Sequence, residues 1–482
     1  MKKIAVAKGD GIGPEIMDAV LEIMHHAGAQ LEVQMVNMGK QWYEKGFSSG
    51  MTPESKEMVE SYGILFKGPM ETPKGGGMKS INVTARKVWS TYANKRIFKS
   101  LPGVKTIFSE AGIPIDITIV RENIEDTYGG IEHMLTHDVA LCRRFITRPG
   151  SMQVHRYTFE MARKKNAKKV TCGHKANIMK ITDGLFLECF YEVAKEYPEI
   201  KADDVIVDDL AMKLVVKPNE FDIIVLPNLQ GDIISDLCAG LVGGLGFAPS
   251  ANIGDQISIF EAVHGTAPDI TGQNKANPTS LLLSGAMLLR HIGQNAAAEN
   301  IENALIKTLQ DGIHTPDLNK NEGLVVGTKE FAAAIIQRLS DSKPYANNET
   351  HSIPSHAKPT ENLMMETKFN GTAEIVGVDL FIESNKIPVQ VGQILEDAID
   401  HQLWKLVTIS NRGTQVYPTG SIYTECINQY RVRIECATKH GTCSQNEILE
   451  LVTKLSPLFK LCSIEMLMSY NGKKAYSLAQ GQ

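Results

Sequence analysis

The chain has no long apolar run. Across its 482 residues no stretch approaches the ~20 consecutive apolar positions that a membrane-spanning helix needs, and the run over 237–249 is short and rich in glycine. No membrane association is expected. Nor is there an excess of positive charge: 50 Lys and Arg stand against 55 Asp and Glu, a net charge of −5. A dedicated nucleic-acid binder carries a basic excess, so no nucleic-acid partner is expected. None of the eight cysteines stands in a C-x-x-C pair. That spacing argues against a zinc site or a redox dithiol and for small buried hydrophobes in a reducing cytoplasm. A strand pattern, Lys3–Ala7, begins almost at once, so neither a signal nor a transit segment is expected and a cytoplasmic location is. With 43% hydrophobic and 22% charged residues the composition is that of a globular protein. At roughly 150 residues per domain, its length suggests about three folding units.

The first 340 residues alternate strand-like and helix-like segments. Pro14 opens a helix whose apolar positions Ile16, Val20, Ile23, Met24 and Ala27 follow a 3.6-residue period. Short β-rich runs at Ile64–Lys67, Ile115–Val120, Lys169–Cys172, Val205–Val207 and Asp222–Leu226 are interleaved with helical stretches near Met152–Lys165, Met179–Glu196 and Ile233–Val242. The alternation predicts an α/β architecture with a substantially parallel sheet. Residues 341–368 are polar, carry three prolines and keep no period, which reads as a linker. Beyond it, strands at Gly377–Glu383, Lys405–Ser410, Arg431–Cys436 and Ile464–Met468 and helices at Val389–Leu403 and Ser444–Leu455 are expected. Their β-α-β-β-α-β order predicts a ferredoxin-like or ACT-like α+β domain over 369–482.

Several clusters carry chemistry. GDGIGPEI (Gly9–Ile16) is not a Rossmann fingerprint, because Pro14 occupies the place of the third glycine. What is left is a glycine-rich turn that either brings backbone close to a ligand or is simply a turn. Glycines 75–77 are followed by Ser80, Asn82 and Arg86, then Arg96 and Arg121. Three arginines with hydroxyl and amide groups suit a polycarboxylate, since guanidinium grips carboxylate through paired hydrogen bonds; solvated surface arginines are the plain alternative. Asp232 and Asp236, four apart in NLQGDIISD, present their carboxylates on one helix face. With Asp208 they could hold Mg²⁺ or Mn²⁺, which take oxygen ligands, or they could only complement a helix dipole. Lys175 is a candidate base and Tyr128 a candidate acid. The loop His264–Pro278 is dense in Gly, Pro and Asn and leads into a helix, a setting that cradles polar ligands; its Asp269 would accept bonds from a ribose diol and repel a 2′-phosphate.

Taken in chain order, GDGIGPEI, Ser80-x-Asn82-x3-Arg86, Arg96, Arg121, Tyr128, Lys175, Asp208, NLQGDIISD and HGTAP resemble the β-decarboxylating dehydrogenase family, over about residues 1–340. That family holds isocitrate, 3-isopropylmalate, homoisocitrate and tartrate dehydrogenases. The resemblance implies a two-domain, non-Rossmann α/β fold. Its large domain would span 1–92 and 248–340, its small domain 93–247 with a dimer-forming clasp near 126–148, and some bacterial members carry an added C-terminal domain. It further implies isocitrate as substrate: Ser80 and Asn82 resemble the pair that meets the γ-carboxylate, with Arg86, Arg96 and Arg121 on the carboxylates. Asp232 and Asp236 would hold the metal, with Asp208 supplied by a neighbouring subunit, as would be Lys175 and Asn177, so that a homodimer or larger homo-oligomer is expected. Lys175 would take the hydroxyl proton and Tyr128 would protonate C3, giving 2-oxoglutarate and CO₂ in the tricarboxylic acid cycle. Relatives usually place a proline after the arginine where this chain has Arg96-Ile97.

Asp269-Ile270 resembles the NAD-using members, so NAD is the expected cofactor. His264, Gly265, Thr266, Ala267 and Asn277 would surround its adenosine, and Thr72 would lie nearer the nicotinamide. The alternatives are homoisocitrate or 3-isopropylmalate as substrate, or a non-catalytic regulatory subunit of a hetero-oligomer. Tyr128, Lys175, Asp208, Asp232 and Asp236 are all present, which argues against the last.

Overall fold

The computed structural model describes residues 1–71, 80–318, 323–339, 365 and 369–478. The chain falls into two compact units, one made of 1–129 and 144–365, the other of 130–143 and 366–482. In chain order the first strands are β1 (Lys2–Ala7), β2 (Leu31–Met35), β3 (Ile64–Lys67), β4 (Ala93–Lys99), β5 (Asp116–Glu122), β6 (Ile131–Thr136) and β7 (Val139–Arg143). They are followed by β8 (Lys169–His174), β9 (Lys201–Ile206), β10 (Ile223–Leu226), β11 (Pro249–Ile253) and β12 (Ser258–Ala262).

The first unit is built on one ten-stranded sheet in the order β2-β1-β3-β12-β11-β4-β5-β10-β8-β9. Both ends of the sheet are parallel, as the alternating sequence predicts, but the centre is not: β12-β11, β11-β4 and β4-β5 pair antiparallel. The strands at one end come from 2–67 and 249–262, those at the other from 93–226. Strand interiors such as Ile4–Ala7 and Ile223–Leu226 are wholly buried, because helices cover both faces of a parallel sheet. The helix Gly13–His26 buries Ile16, Val20, Ile23 and Met24, the face its period predicts. It packs with the helices Thr279–His291 and Asn295–Gln310 in one core; a second core lies among Arg148–Lys165, Thr182–Ala194, β8 and β10.

The sequence does not announce β4. It reads ANKRIFK, and Asn94, Lys95 and Arg96 are all buried at the sheet centre. A periodic reading looks for apolar runs and passes over a strand whose interior is polar. Ile97 continues the strand opposite Thr118, without the proline usual in relatives. Val207, read as the end of a strand, begins a helix instead, Val207–Val216, which also carries Asp208.

A short pair, β13 (Ile313–His314) and β14 (Leu324–Val325), completes the first unit. The second unit contains β15 (Ala373–Glu383), β16 (Trp404–Asn411), β17 (Thr414–Tyr417), β18 (Gln429–Cys436), β19 (Lys460–Tyr470) and β20 (Lys473–Lys474). Their antiparallel sheet runs β17-β16-β18-β15-β19-β20, and helices Pro388–Ala398 and Gln445–Leu455 seal its core of Val378, Leu380, Val432 and Ile434. The inner strands β19-β15-β18-β16 have the ferredoxin-like arrangement expected of the C-terminal domain, with β17 and β20 added at the edges. The antiparallel hairpin β6–β7 belongs to this unit, and Arg143 on β7 ion-pairs with Glu465 on β19. The expected linker falls, apart from Met365, outside the described residues. Among the described residues no helix is long and apolar enough to cross a membrane.

Candidate active site

The antiparallel centre of the large sheet is where charge collects. Asn94 and Arg96 alternate on one face of β4, so Arg96 Nε donates to Asn94 Oδ1 (2.7 Å) and Asn94 Nδ2 donates to Ser250 Oγ (2.8 Å) and Asn252 Oδ1 (2.9 Å) on β11. Arg121, near the end of β5, donates from Nε and Nη2 to Asn228 Oδ1 (2.9 and 2.8 Å). Asn228 begins the helix Asn228–Leu241, which carries Asp232 and Asp236 one turn apart. Asp232 ion-pairs with Arg121 and lies 3.4 Å from Arg96; Asp236 lies 3.7 Å from Arg96. The two carboxylates therefore share a face, as their spacing predicts. Tyr128 donates its hydroxyl proton to Asp232 Oδ2 (2.7 Å), and Arg121 sits 4.8 Å from its ring centre.

The electrostatics follow from burial and crowding. Burial, reinforced by Arg96 and Arg86, pulls Arg121 down to about 10. Burial pushes the Asp232 carboxyl up, but Arg121 and Arg96 outweigh it and hold it below its ordinary range. Burial, with the bond to Asp232, pushes the Tyr128 hydroxyl up. At neutral pH Asp232 is ionised and Tyr128 holds its proton.

Beside this cluster lies a cavity of about 300 Å³ bordered by Asn82, Arg86, Arg96, Glu261, His264 and Thr266. Ser80 caps the helix Ile81–Val88 by accepting from the Val83 N–H (3.4 Å), which orients Asn82 and Arg86 on its first turns. Arg86 donates to Glu261 Oε1 (2.9 Å), and buried Glu261 also pairs with buried Lys67 and accepts from Asn252 Nδ2 (2.7 Å). Asn82 Oδ1, Arg86 Nε and His264 Nε2 are buried and find no hydrogen-bond partner among the described residues, while the His264 ring donates from Nδ1 to the Gly265 carbonyl (2.9 Å). Buried polar atoms left unbonded beside a cavity fit a polar ligand. Glu261, Lys67, Asn94 and Asn228 are site residues that the sequence reading missed. Their only sequence signal is a lone polar group inside an apolar or motif-flanking stretch.

The glycine-rich turn packs against the HGTAP loop. Ile12 N–H donates to the Thr266 carbonyl (3.0 Å), and at Gly11, with φ +59°, a Cβ would stand 2.2 Å from that oxygen. Only glycine permits this approach. Ala267 adopts a left-handed conformation, Asn277 donates to Asp317 Oδ2 (2.9 Å), and the exposed Asp269 and part-buried Ile270 lie on the turn Pro268–Ile270. A closely apposed pair of loops with a bare His264 nitrogen suits an adenosine. Thr72 and the glycines 75–77 lie outside the described residues.

Lys175 and Asp208 pair with each other. Asp208 is exposed, and the Lys175 hydrogen bond holds its carboxyl below the usual range. Asn177 is exposed. Among the described residues no three His, Cys, Asp or Glu side chains come together as a metal set. Asp232 and Asp236 alone offer two oxygen ligands on one face, which fits a hard divalent ion that completes its shell with substrate and water.

Residues 3–335 match the isocitrate/isopropylmalate dehydrogenase family, and residues 373–482 match the bacterial isocitrate dehydrogenase C-terminal domain. The chain is 42% identical to "Isocitrate dehydrogenase [NADP]" of Thermus thermophilus, covering 100% of this chain and 96% of that one. It is 40% identical to the Rickettsia bellii protein of the same name, covering 99% of each. Over 69% of the chain it is 47% identical to "Isocitrate dehydrogenase [NAD] catalytic subunit 5, mitochondrial" of Arabidopsis thaliana, covering 87% of that protein. A crystal structure of a Thermus thermophilus protein superposes with a TM-score of 0.91 at 41% identity, covering 100% of this chain and 96% of that one.

These relatives correct the cofactor expectation. Those that match along the whole chain, both units included, are named for NADP, not for NAD. The physical weakness of the NAD reading is visible on the turn. Asp269 is exposed, where water and salt screen a carboxylate. Gln273 Nε2 donates to its carbonyl (2.7 Å), and Lys275 Nζ donates to Gln273 Oε1 (2.9 Å), so a cation stands on the same loop. Repulsion by one screened carboxylate does not decide the cofactor.

Proposed function

Because the chain belongs to the isocitrate/isopropylmalate dehydrogenase family, we propose that it converts D-isocitrate and NADP⁺ to 2-oxoglutarate, CO₂ and NADPH. The observation that carries this reading is the convergence of Arg86, Arg96 and Arg121 beside a polar cavity with unbonded Asn82 and Arg86 atoms. Clustered guanidinium groups suit a polycarboxylate, whereas the alkyl group of isopropylmalate would leave Asn82 buried and unpaired at a cost of about 1–3 kcal/mol. Ser80 and Asn82 are assigned to the γ-carboxylate, and the three arginines to the carboxylates generally.

Asp232, Asp236 and an Asp208 would hold a divalent ion, which would supply a Lewis acid, and NADP⁺ would supply the hydride acceptor. The residues of the chain do the rest. Arg96 and Arg121 are fixed by Asn94 and Asn228 before substrate arrives, so little ordering remains to be done on binding. Lys175 Nζ takes the proton from the substrate hydroxyl as hydride leaves C2. Tyr128 holds its proton at neutral pH and delivers it to C3 after CO₂ departs. Asp269, His264, Gly265, Thr266, Ala267, Ile270 and Asn277 are assigned to the adenosine end of the cofactor.

Lys175 pairs with Asp208, and among the described residues Asp208 does not join Asp232 and Asp236 in a metal set, which supports a site shared between two subunits and a homodimer as the smallest working unit. The test is a substrate panel: nicotinamide reduction with D-isocitrate, homoisocitrate and 3-isopropylmalate at equal concentration. Isocitrate should be faster than homoisocitrate, one methylene longer, by at least about tenfold, and faster than 3-isopropylmalate by about 10⁴-fold, the range expected when a site built for hydrogen bonds meets an analogue lacking them. A comparable 3-isopropylmalate rate would overturn the assignment.

A further inference from the structure

Three elements that carry the proposed chemistry meet at one half-buried guanidinium, that of Arg144. Arg144 pairs from Nε with Asp126 Oδ1, donates from Nη2 to Asp126 Oδ2 (3.3 Å) and pairs from Nη1 with Asp183 Oδ1. Both carboxylates are 0% exposed. Their remaining bonds go outward to the catalytic elements. Asp126 Oδ2 accepts from the Leu229 N–H (3.0 Å), at the start of the helix that carries Asp232, and Asp126 Oδ1 accepts from the Thr127 N–H (2.7 Å), beside Tyr128. Asp183 Oδ2 accepts from the Lys175 N–H (2.6 Å) and from Gln230 Nε2 (2.9 Å). Asp126 also holds a left-handed backbone, φ +68°, which costs a non-glycine residue about 1 kcal/mol or more and persists only where the surroundings impose it.

An ion triad of this kind is poor value as mere filling, since well-packed apolar side chains often stabilise a core as well. One of its carboxylates, Asp183, stands on the covering helix Thr182–Ala194, and from there and from Asp126 its bonds run to the Tyr128 turn, the Asp232 helix and the Lys175 loop. We propose that Arg144 is a positioning residue that sets both proton-handling groups at once, Tyr128 through Asp126 and Lys175 through Asp183. The roles of Tyr128 and Lys175 rest on the isocitrate reading; the triad itself does not.

The two arms can be cut separately. Asp183→Asn should lower isocitrate oxidation by about 10–100-fold, the range for a misplaced catalytic group, with the KM for isocitrate within about threefold. Decarboxylation of added oxalosuccinate, which does not need the hydroxyl proton removed, should stay within about threefold. Asp126→Asn should slow both reactions. Hydrogen exchange over 174–182 should quicken at least about tenfold in Asp183→Asn and stay unchanged over the helix Thr279–His291. Arg144→Lys should recover part of the activity that Arg144→Met loses; if Arg144→Met does not fold, the two Asn variants decide. Equal loss of both reactions in both Asn variants, or unchanged exchange over 174–182, would overturn the proposal. Absence of isocitrate turnover in the unaltered chain would instead defeat the isocitrate reading, and the exchange measurement would still decide the triad.

Discussion

Arg121 is nearly sealed from water, carries two bonds to Asn228 and a pair with Asp232, and supports the Tyr128 ring. One residue thereby links the cation assigned to substrate, the carboxylate assigned to a metal and the proposed proton donor. Tyr128 is the member whose role can be isolated, because Phe keeps the ring and removes only the proton. Tyr128→Phe should lower isocitrate turnover by about 100-fold or more, the usual contribution of a positioned acid, while reduction of added oxalosuccinate falls far less. Equal loss in both assays would remove the proposed late role. The groups assigned to substrate and metal could be proposed from the sequence because their chemistry is specific to residue type: arginines for carboxylates, a tyrosine and a lysine for protons, paired aspartates for a metal. The groups behind them were not. Glu261 lies within the apolar strand SIFEA and Asn228 opens a helix, and nothing in a linear sequence says that one faces Arg86 and the other Arg121.

At the scale of elements, β4 and β5 bring polar side chains into the middle of a sheet. The cost is met only while every partner is present. Asn94→Ala would leave Arg96 Nε without its acceptor and Asn252 Oδ1 with Asn123 Nδ2 as its remaining donor, so stability should fall by about 1–3 kcal/mol and the KM for isocitrate should rise; denaturant unfolding and initial rates check both. A second consequence appears at the end of β5. Burial drives Glu122 up to about 7, against the backbone N–H groups of Ile124 and Glu125 that it accepts from. Its folded pKa thus lies above its unfolded value. The native state favours the neutral acid, a contribution that is present below about pH 4.5 and is lost as pH rises through 7. Glu122→Gln cannot ionise and should gain about 2–3 kcal/mol over the unaltered chain at pH 8, and little at pH 4.5. An equal difference at both pH values would contradict this. The helices and outer strands of both units were readable because their apolar positions repeat; β4 was not, because its buried positions are polar.

For the whole molecule, the two units have separate hydrophobic cores. Leu380 is fully buried in the second. Leu380→Ala should cost about 2–5 kcal/mol and lower a C-terminal unfolding transition in calorimetry, with an isocitrate rate at 25 °C close to that of the unaltered chain. A single transition shifted as one would mean that the units unfold together. The presence of a C-terminal α+β unit was legible from the composition change near Ser340 and the strand order beyond it. The grouping of the hairpin β6–β7 with that unit was not, because the contact between Arg143 and Glu465 spans more than 300 residues of sequence.

The cofactor shows the reach of a two-residue pattern: Asp269-Ile270 pointed to NAD, while similarity along the whole chain points to NADP. The most direct test of the proposed activity follows absorbance at 340 nm with D-isocitrate, Mn²⁺ and either NADP⁺ or NAD⁺, with EDTA as a control and 2-oxoglutarate measured as product. Chelator-sensitive NADPH formation is predicted, with one 2-oxoglutarate for each NADPH and a much slower rate with NAD⁺. Dominant NADH formation, or no nicotinamide reduction with isocitrate, would contradict it.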